Sequence, residues 1–159
     1  VTKSFEAEIF EDGYFSGAAT VPESVAKSFQ EKGIKRVVIQ IKNHQPLHQA
    51  LHITRGATYL VFGKNTMREL QLQPGMKAII EISEDLSKYQ MAVCEEFLEV
   101  LGTDPEGADL FHRLLPGKQR SLLHRINKIK SSQLRIEKTL RLMDLLRTGE
   151  KDLKLLGKL

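Results

Sequence analysis

The spacing of hydrophobic positions changes once along this chain. Up to about residue 85 they recur mainly every second residue, and beyond it every third or fourth. The clearest stretch is residues 59–85, YLVFGKNTMRELQLQPGMKAIIEISED. Tyr59, Leu60, Val61 and Phe62 form the short apolar run of a buried strand. Met67, Leu70 and Leu72, with Arg68 and Glu69 between them, predict a helix of about two turns over residues 65–72. Pro74-Gly75 has type II turn chemistry, a preset φ followed by a residue free to take φ > 0. The strand after it places Ala78, Ile80 and Ile82 on one face and Lys77, Ile79 and Glu81 on the other.

The same reading extends towards the N-terminus. Residues 3–10 alternate, with Phe5, Ala7 and Ile9 opposite Glu6, Glu8 and Phe10, and Asp12-Gly13 predicts a hairpin that pairs residues 14–20 back. Pro22 fits the first position of a helix whose stripe is Val25, Ala26 and Phe29 and which Gly33 stops. Residues 36–42 form a third strand, with Val37, Ile39 and Ile41 inward. A fourth covers residues 47–54, and Arg55-Gly56 turns it into the strand at Tyr59. About six strands and two short helices suit a small barrel.

Beyond residue 85 the period is helical. Val93, Phe97, Leu98 and Leu101 share a face that ends at Gly102. Asp104 caps the next helix, with Pro105 at its first position and Leu110, Phe111, Leu114 and Leu115 inward. Pro116-Gly117 precedes a helix with Leu122, Leu123, Ile126 and Ile129, and a last one carries Ile136, Leu140 and Met143 to Gly149. Helices this short must pack on one another or on the barrel. The expected division is a β-barrel domain over residues 1–88, a helical domain over 89–149 and a tail over 150–159.

Charge sharpens that division. The total of +4 conceals 11 Lys and Arg against 16 Asp and Glu in residues 1–112, and 13 against 4 in residues 113–159. Such asymmetry points to two regions that attract each other, or to a basic region that meets an acidic partner, nucleic acid or a membrane surface. At 159 residues and 41% hydrophobic, the chain can build one ordinary core or a small domain with an appended second. Its apolar runs fall far short of the roughly 20 residues that span a bilayer, so a soluble protein is expected. No export pattern stands at the N-terminus, although a chain that starts at Val1 leaves open what preceded it. Cys94, the single cysteine, allows neither an internal disulfide nor a multi-cysteine metal site; a core position for it and a cytoplasmic setting are expected.

Three features have candidate chemistry. His44, His48 and His52 are spaced four apart, but in a strand that step covers about 13 Å, too far for neighbours to share a metal, and Pro46 opposes a helix. Surface or groove histidines are the expected reading, and no metal or cofactor is expected. The basic run includes Arg113, Lys118, Arg120, Arg125, Lys128, Lys130, Arg135, Lys138 and Arg141, interrupted only by Glu137. Arg120, His124 and Lys128 would form a row of phosphate donors on one helical face. A solvated face, or one docked on the acidic half, is preferred, because the run lacks interleaved aromatics. Lys64 and Arg68 lie a turn apart at a helix start, where a small anion could bind, with His48 as a further groove contact; ordinary surface charge is the simpler explanation. No catalytic constellation occurs, neither G-x-S-x-G nor H-E-x-x-H, so an enzyme is not expected. The terminal KDLKLLGKL is expected to be a frayed end, too short to hold a membrane firmly by itself.

Several blocks resemble one known family. VPESVAKSF, the RVVIQI strand and YLVFGKNTMRELQLQPG in the first region, and EEFLEVLGTDPEGADLFHRLLPGKQRSLLHRINKIK in the second, are similar to the bacteriocin-protection, YdeI/OmpD-associated proteins. Ile126 and Lys130 match that family's basic I-x-x-x-K ending. Residues 129–135 keep only Lys130 and Arg135 of its A-K-x-x-E-T-R pattern, and Lys42-Asn43-His44 replaces its usual Asn-Gly. The resemblance implies an α+β protein, a six-stranded double-split β-barrel of the AbrB/MazE-like class followed by a small helical domain. It implies a non-enzymatic role in antimicrobial-peptide or envelope-stress protection through an unknown protein partner. The alternatives are a nucleic-acid-binding protein using the basic helices and a small-anion binder in the barrel groove.

Overall fold

A computed structural model describes residues 1–149, which include seven strands and six helices. The tail over residues 150–159 lies outside the described residues. Two compact units divide the chain, Val1–Gln90 and the residues from Met91 onward.

The first unit is built on two antiparallel sheets. Strands β1 (Thr2–Glu8), β7 (Lys77–Glu84), β3 (Arg36–Ile41) and β4 (Leu47–Ala50) form one, in that order; β2 (Gly17–Val21), β6 (Ala57–Phe62) and β5 (His52–Thr54) form the other. Helices α1 (Glu23–Gln30) and α2 (Lys64–Glu69) add Ala26, Phe29 and Met67 to a core with Ile39, Ile80, Ile82, Leu60 and Phe62. Alternation decides which side chains enter it: Val37, Ile39 and Ile41 on β3 and Ala78, Ile80 and Ile82 on β7 are buried, while Ile79 is exposed. Gly75 at φ +90° and the bond from Met76 N–H to Gln73 O (3.1 Å) complete the turn expected at Pro74. Arg55 at φ +51° and Gly56 at φ +79° form the two-residue hairpin turn between β5 and β6.

Two expectations are corrected. The six strands are seven, because the segment at 47–54 breaks at Leu51 and passes from one sheet to the other; the two sheets are not joined into a closed barrel. The break leaves β6 without a β5 partner beyond Tyr59, and the Gln49 side-chain oxygen accepts the Val61 N–H instead (3.0 Å). Nor does Asp12-Gly13 form a two-strand hairpin. β1 pairs with β7 and β2 with β6, leaving only a bridge between Phe10 and Ala18. Gly13 does not take the positive φ of a hairpin turn, and Asp12 Oδ1 instead accepts the amides of Tyr14 and Phe15, both at 2.8 Å.

The second unit is helical: α3 (Glu95–Thr103), α4 (Pro105–His112), α5 (Pro116–Asn127) and α6 (Ser132–Arg147). Phe97 and Phe111 meet edge to face at 5.0 Å, and Leu122, Leu123, Ile126, Leu142, Met143 and Leu146 are buried as well. Asp104 caps α4 as expected, accepting the Gly107 N–H at 2.9 Å. At Gly107 a Cβ would lie 2.5 Å from the Asp104 carboxylate and 2.8 Å from Met143 Sδ, so only glycine lets α4 approach this closely. The inward faces differ in part from the periodicity. Leu98, Leu115 and Leu140 are exposed, and α6 buries Thr139, Leu142, Met143 and Leu146. α6 has apolar residues on more than one face, so periodicity alone leaves its rotation open. Cys94 is not in the core beside Val93; it is half-buried at the N-cap of α3, in extended backbone.

Candidate basic interface on the helical unit

The basic run divides into two chemically different sets. Arg135 is a strut: its Nη2 donates to Glu96 Oε1 at 2.5 Å, and its Nη1 donates to the carbonyls of Ile129 (2.7 Å) and Lys130 (3.3 Å). The hydrogen bond from Arg135, with Glu96's own backbone amide and the Ser132 hydroxyl, holds the Glu96 carboxyl at about 2, against an ordinary 4.5. Arg147 does the same for the other end of α6. It pairs with Asp104 and, at 3.1 Å, with Asp144, so the Asp104 carboxyl is also held below its usual range. Arg113 pairs with Asp109 at 2.6 Å.

The remaining cations are placed otherwise. Because α5 buries Leu122, Leu123 and Ile126, its 3.6-residue period places His124 and the capping Lys128 on the opposite, exposed face, with half-buried Arg120 one turn before them and exposed Arg125 on the flank. Lys130 is exposed in the connection to α6. Residues 110–136 contain no Asp or Glu. Among the described residues, no carboxylate pairs with Arg120, Arg125, Lys128 or Lys130. Lys118 is half-buried beside Leu110, Leu114, Leu115 and Leu146 around a cavity of about 370 Å³. Arg120, Arg125, Lys128 and Lys130 can hold several anionic oxygens at once, supplying N–H donors without first breaking an ion pair found among the described residues.

The candidates of the first unit do not converge. Lys64 opens α2 and Arg68 lies in its last turn, both exposed, and the helix is only six residues long. His44 is in the turn after β3, His48 is on β4 and His52 is on β5, so the three histidines fall in a loop and two different sheets. Among the described residues no three His, Cys, Asp or Glu side chains group as metal ligands. His48 has a structural partner instead: its Nδ1 is 2.7 Å from Oδ2 of the fully buried Asp85 carboxylate. Burial pushes that carboxyl up, but hydrogen bonds from the Ser87 hydroxyl (2.6 Å), His48 and the Ser87 amide (3.0 Å) outweigh it and hold the group below its ordinary value. Arg36 donates twice to Gln90 O, and the Gln90 side chain donates to Asp85 O, so this cluster ties residues 85–90 to β3 and β4.

Neither Asp85 nor Glu96 stood out in the sequence. Both are ordinary acids there, and nothing local marks a partner 37 or 39 residues away. No curated protein matches the chain. The blocks in residues 1–88 that resemble the bacteriocin-protection proteins lie outside the stretch a family comparison identifies. Residues 90–149, which contain α3 to α6 and the basic face, match the family model of OmdA, described as Bacteriocin-protection, YdeI or OmpD-Associated, and the similarity is confined to this helical part of the chain.

Proposed function

We propose that this protein protects by binding, without catalysis, and that its helical unit engages an acidic surface of a protein partner through the outward face of α5. One observation supports this above the others: among the described residues, Arg120, Arg125, Lys128 and Lys130 lack carboxylate partners in a segment free of acids, whereas Arg113, Arg135 and Arg147 have them. Sequence-independent electrostatics of this kind steers association and depends steeply on salt. The match of residues 90–149 supports a role in bacteriocin protection. A cytoplasmic setting is our assignment, supported by the single cysteine.

Nucleic acid is the second reading, favoured by the four-residue recurrence of Arg120, His124 and Lys128, which suits a row of phosphates. For the first unit we further infer a double-split barrel of the AbrB/MazE-like class. The crossing of the chain between sheets at Leu51 and the bridge between Phe10 and Ala18 support that class.

The test is fluorescence anisotropy of labelled poly-glutamate, random-sequence duplex DNA and single-stranded RNA, each at low and near-physiological salt. Preferential, salt-sensitive binding of poly-glutamate that is lost when Arg120, Arg125 and Lys128 become Ala is the expected result. Preference for either nucleic acid with the same loss moves the assignment to the second reading. No binding of any probe at low salt overturns both.

A further inference from the structure

The first unit has a concave feature of its own, unrelated to α5. The loop between β1 and β2 lies over the outward face of the three-stranded sheet, and between them is a cavity of about 430 Å³. Its walls are aromatic. Phe10 meets Tyr59 of β6 edge to face at 6.0 Å, and Phe15 lies 6.3 Å from the ring of His52 on β5. The pairing explains the meeting: His52 is opposite Tyr59 in the register of β5 and β6, so both rings project from the same face. Tyr14 completes the wall from the loop and is 93% exposed, an unusual position for a large ring with nothing against it.

The polar groups are few and placed at the edge. Arg55, the first residue of the β5–β6 turn, lines the cavity without a carboxylate partner among the described residues. Thr54 supplies a hydroxyl. Asp12 spends Oδ1 on the amides of Tyr14 and Phe15, and its Oδ2 makes no hydrogen bond among the described residues. A volume in the range of small-molecule sites, ring faces for stacking, a cation outside any ion pair among the described residues, and a carboxylate oxygen able to accept from a hydroxyl or amine form a combined signature. It fits a flat heteroaromatic ring joined through a hydroxylated spacer to an anion.

We propose that this cavity binds a nucleoside monophosphate. The base enters among Phe10, Tyr14, Phe15 and Tyr59, Asp12 takes the sugar hydroxyls, and the phosphate meets the Arg55 guanidinium. Aromatic faces hold any base, so affinity falls little between purine and pyrimidine, whereas the fork of donors on arginine suits phosphate oxygens. The site requires neither α5 nor its cations. Lys64, Arg68 and His48 are not among the residues that line it.

The experiment is titration of the full chain, followed by NMR shifts and by calorimetry, with adenosine and uridine 5′-monophosphates, adenosine, ribose 5-phosphate and inorganic phosphate. Two variants accompany it. Tyr14→Ala removes an exposed ring, and Arg55→Asn removes the cation while keeping a side chain that accepts positive φ; unchanged melting temperatures confirm that both fold. Both nucleotides are expected to bind in the millimolar range or tighter and to shift the Tyr59 and His52 signals. Tyr14→Ala should weaken them by about fivefold or more, and Arg55→Asn should erase the preference for adenosine monophosphate over adenosine. Ribose 5-phosphate or phosphate binding as well as the nucleotides would remove the base from the proposal. Adenosine binding as well as its monophosphate would remove the anion, and the absence of any shift at Tyr59 and His52 would overturn the site. Loss of α5 cations leaves these results unchanged, so this site and the proposed interface stand or fall separately.

Discussion

The two units handle charge in opposite ways. In the first, a single carboxylate, Asp85, is taken fully inside and surrounded by a histidine, a hydroxyl and an amide, while most other ions stay in water. In the second, acids of α3 and α4 are brought against arginines of α6, Glu96 with Arg135 and Asp104 with Arg147. The consequence is a sorting that sequence order conceals. Since these carboxylates go to struts between helices, Arg120, Arg125 and Lys128 have no carboxylate partner among the described residues, and the basic run divides into fasteners and cations outside any described ion pair.

The comparison breaks most visibly in the helical core. Phe97→Ala removes half of the ring pair with Phe111 and should destabilise by about 3–5 kcal/mol, measured by urea unfolding followed by circular dichroism. Leu142→Ala should cost about 2–5 kcal/mol, whereas Leu140→Ala, one face away, should stay within about 0.5 kcal/mol; equal losses would contradict the rotation of α6 described above. A methyl group at Gly107 meets Asp104 and Met143, so Gly107→Ala should cost about 1–3 kcal/mol in the same assay.

Smaller effects separate fasteners from free cations. Arg135→Ala should lower the melting temperature and leave polyanion binding nearly intact. Arg125→Ala should do the reverse, reducing the dependence of binding on salt by about one counterion while the melting temperature holds. Acid titration adds a sign. Glu96 is held at about 2 in the folded chain, below its ordinary 4.5, so its stabilisation is fully present above about pH 4.5 and is lost as pH falls towards 2. Glu96→Gln should flatten that limb of the stability profile for the helical unit. Asp85→Asn should flatten the corresponding acid limb of the first unit, because its folded carboxyl is also depressed.

Much of this was readable from residue order. Strict alternation places Val37, Ile39, Ile41, Ala78, Ile80 and Ile82 inside, because a strand offers only two faces and only one of them matches an apolar set. Pro74-Gly75, Arg55-Gly56 and Asp104-Pro105 announce their turns and cap by local backbone chemistry. The aromatic cavity has a sequence signal too: three of the chain's ten aromatic residues fall within residues 10–15.

What only the tertiary structure decided depends on distance along the chain. The division of the strands into two sheets at Leu51 reflects which partners remain for β4 and β5 after β3 and β6 have paired, and no local pattern carries that information. The rotation of α6 is open in the sequence because its leucines offer more than one apolar face, and packing against α3 and α4, with Met143 beside Gly107, selects among them. Above all, identical guanidinium groups at Arg125 and Arg135 differ in role because a carboxylate 39 residues away reaches one and not the other. Charge is a property of the residue, but a free charge is a property of the fold.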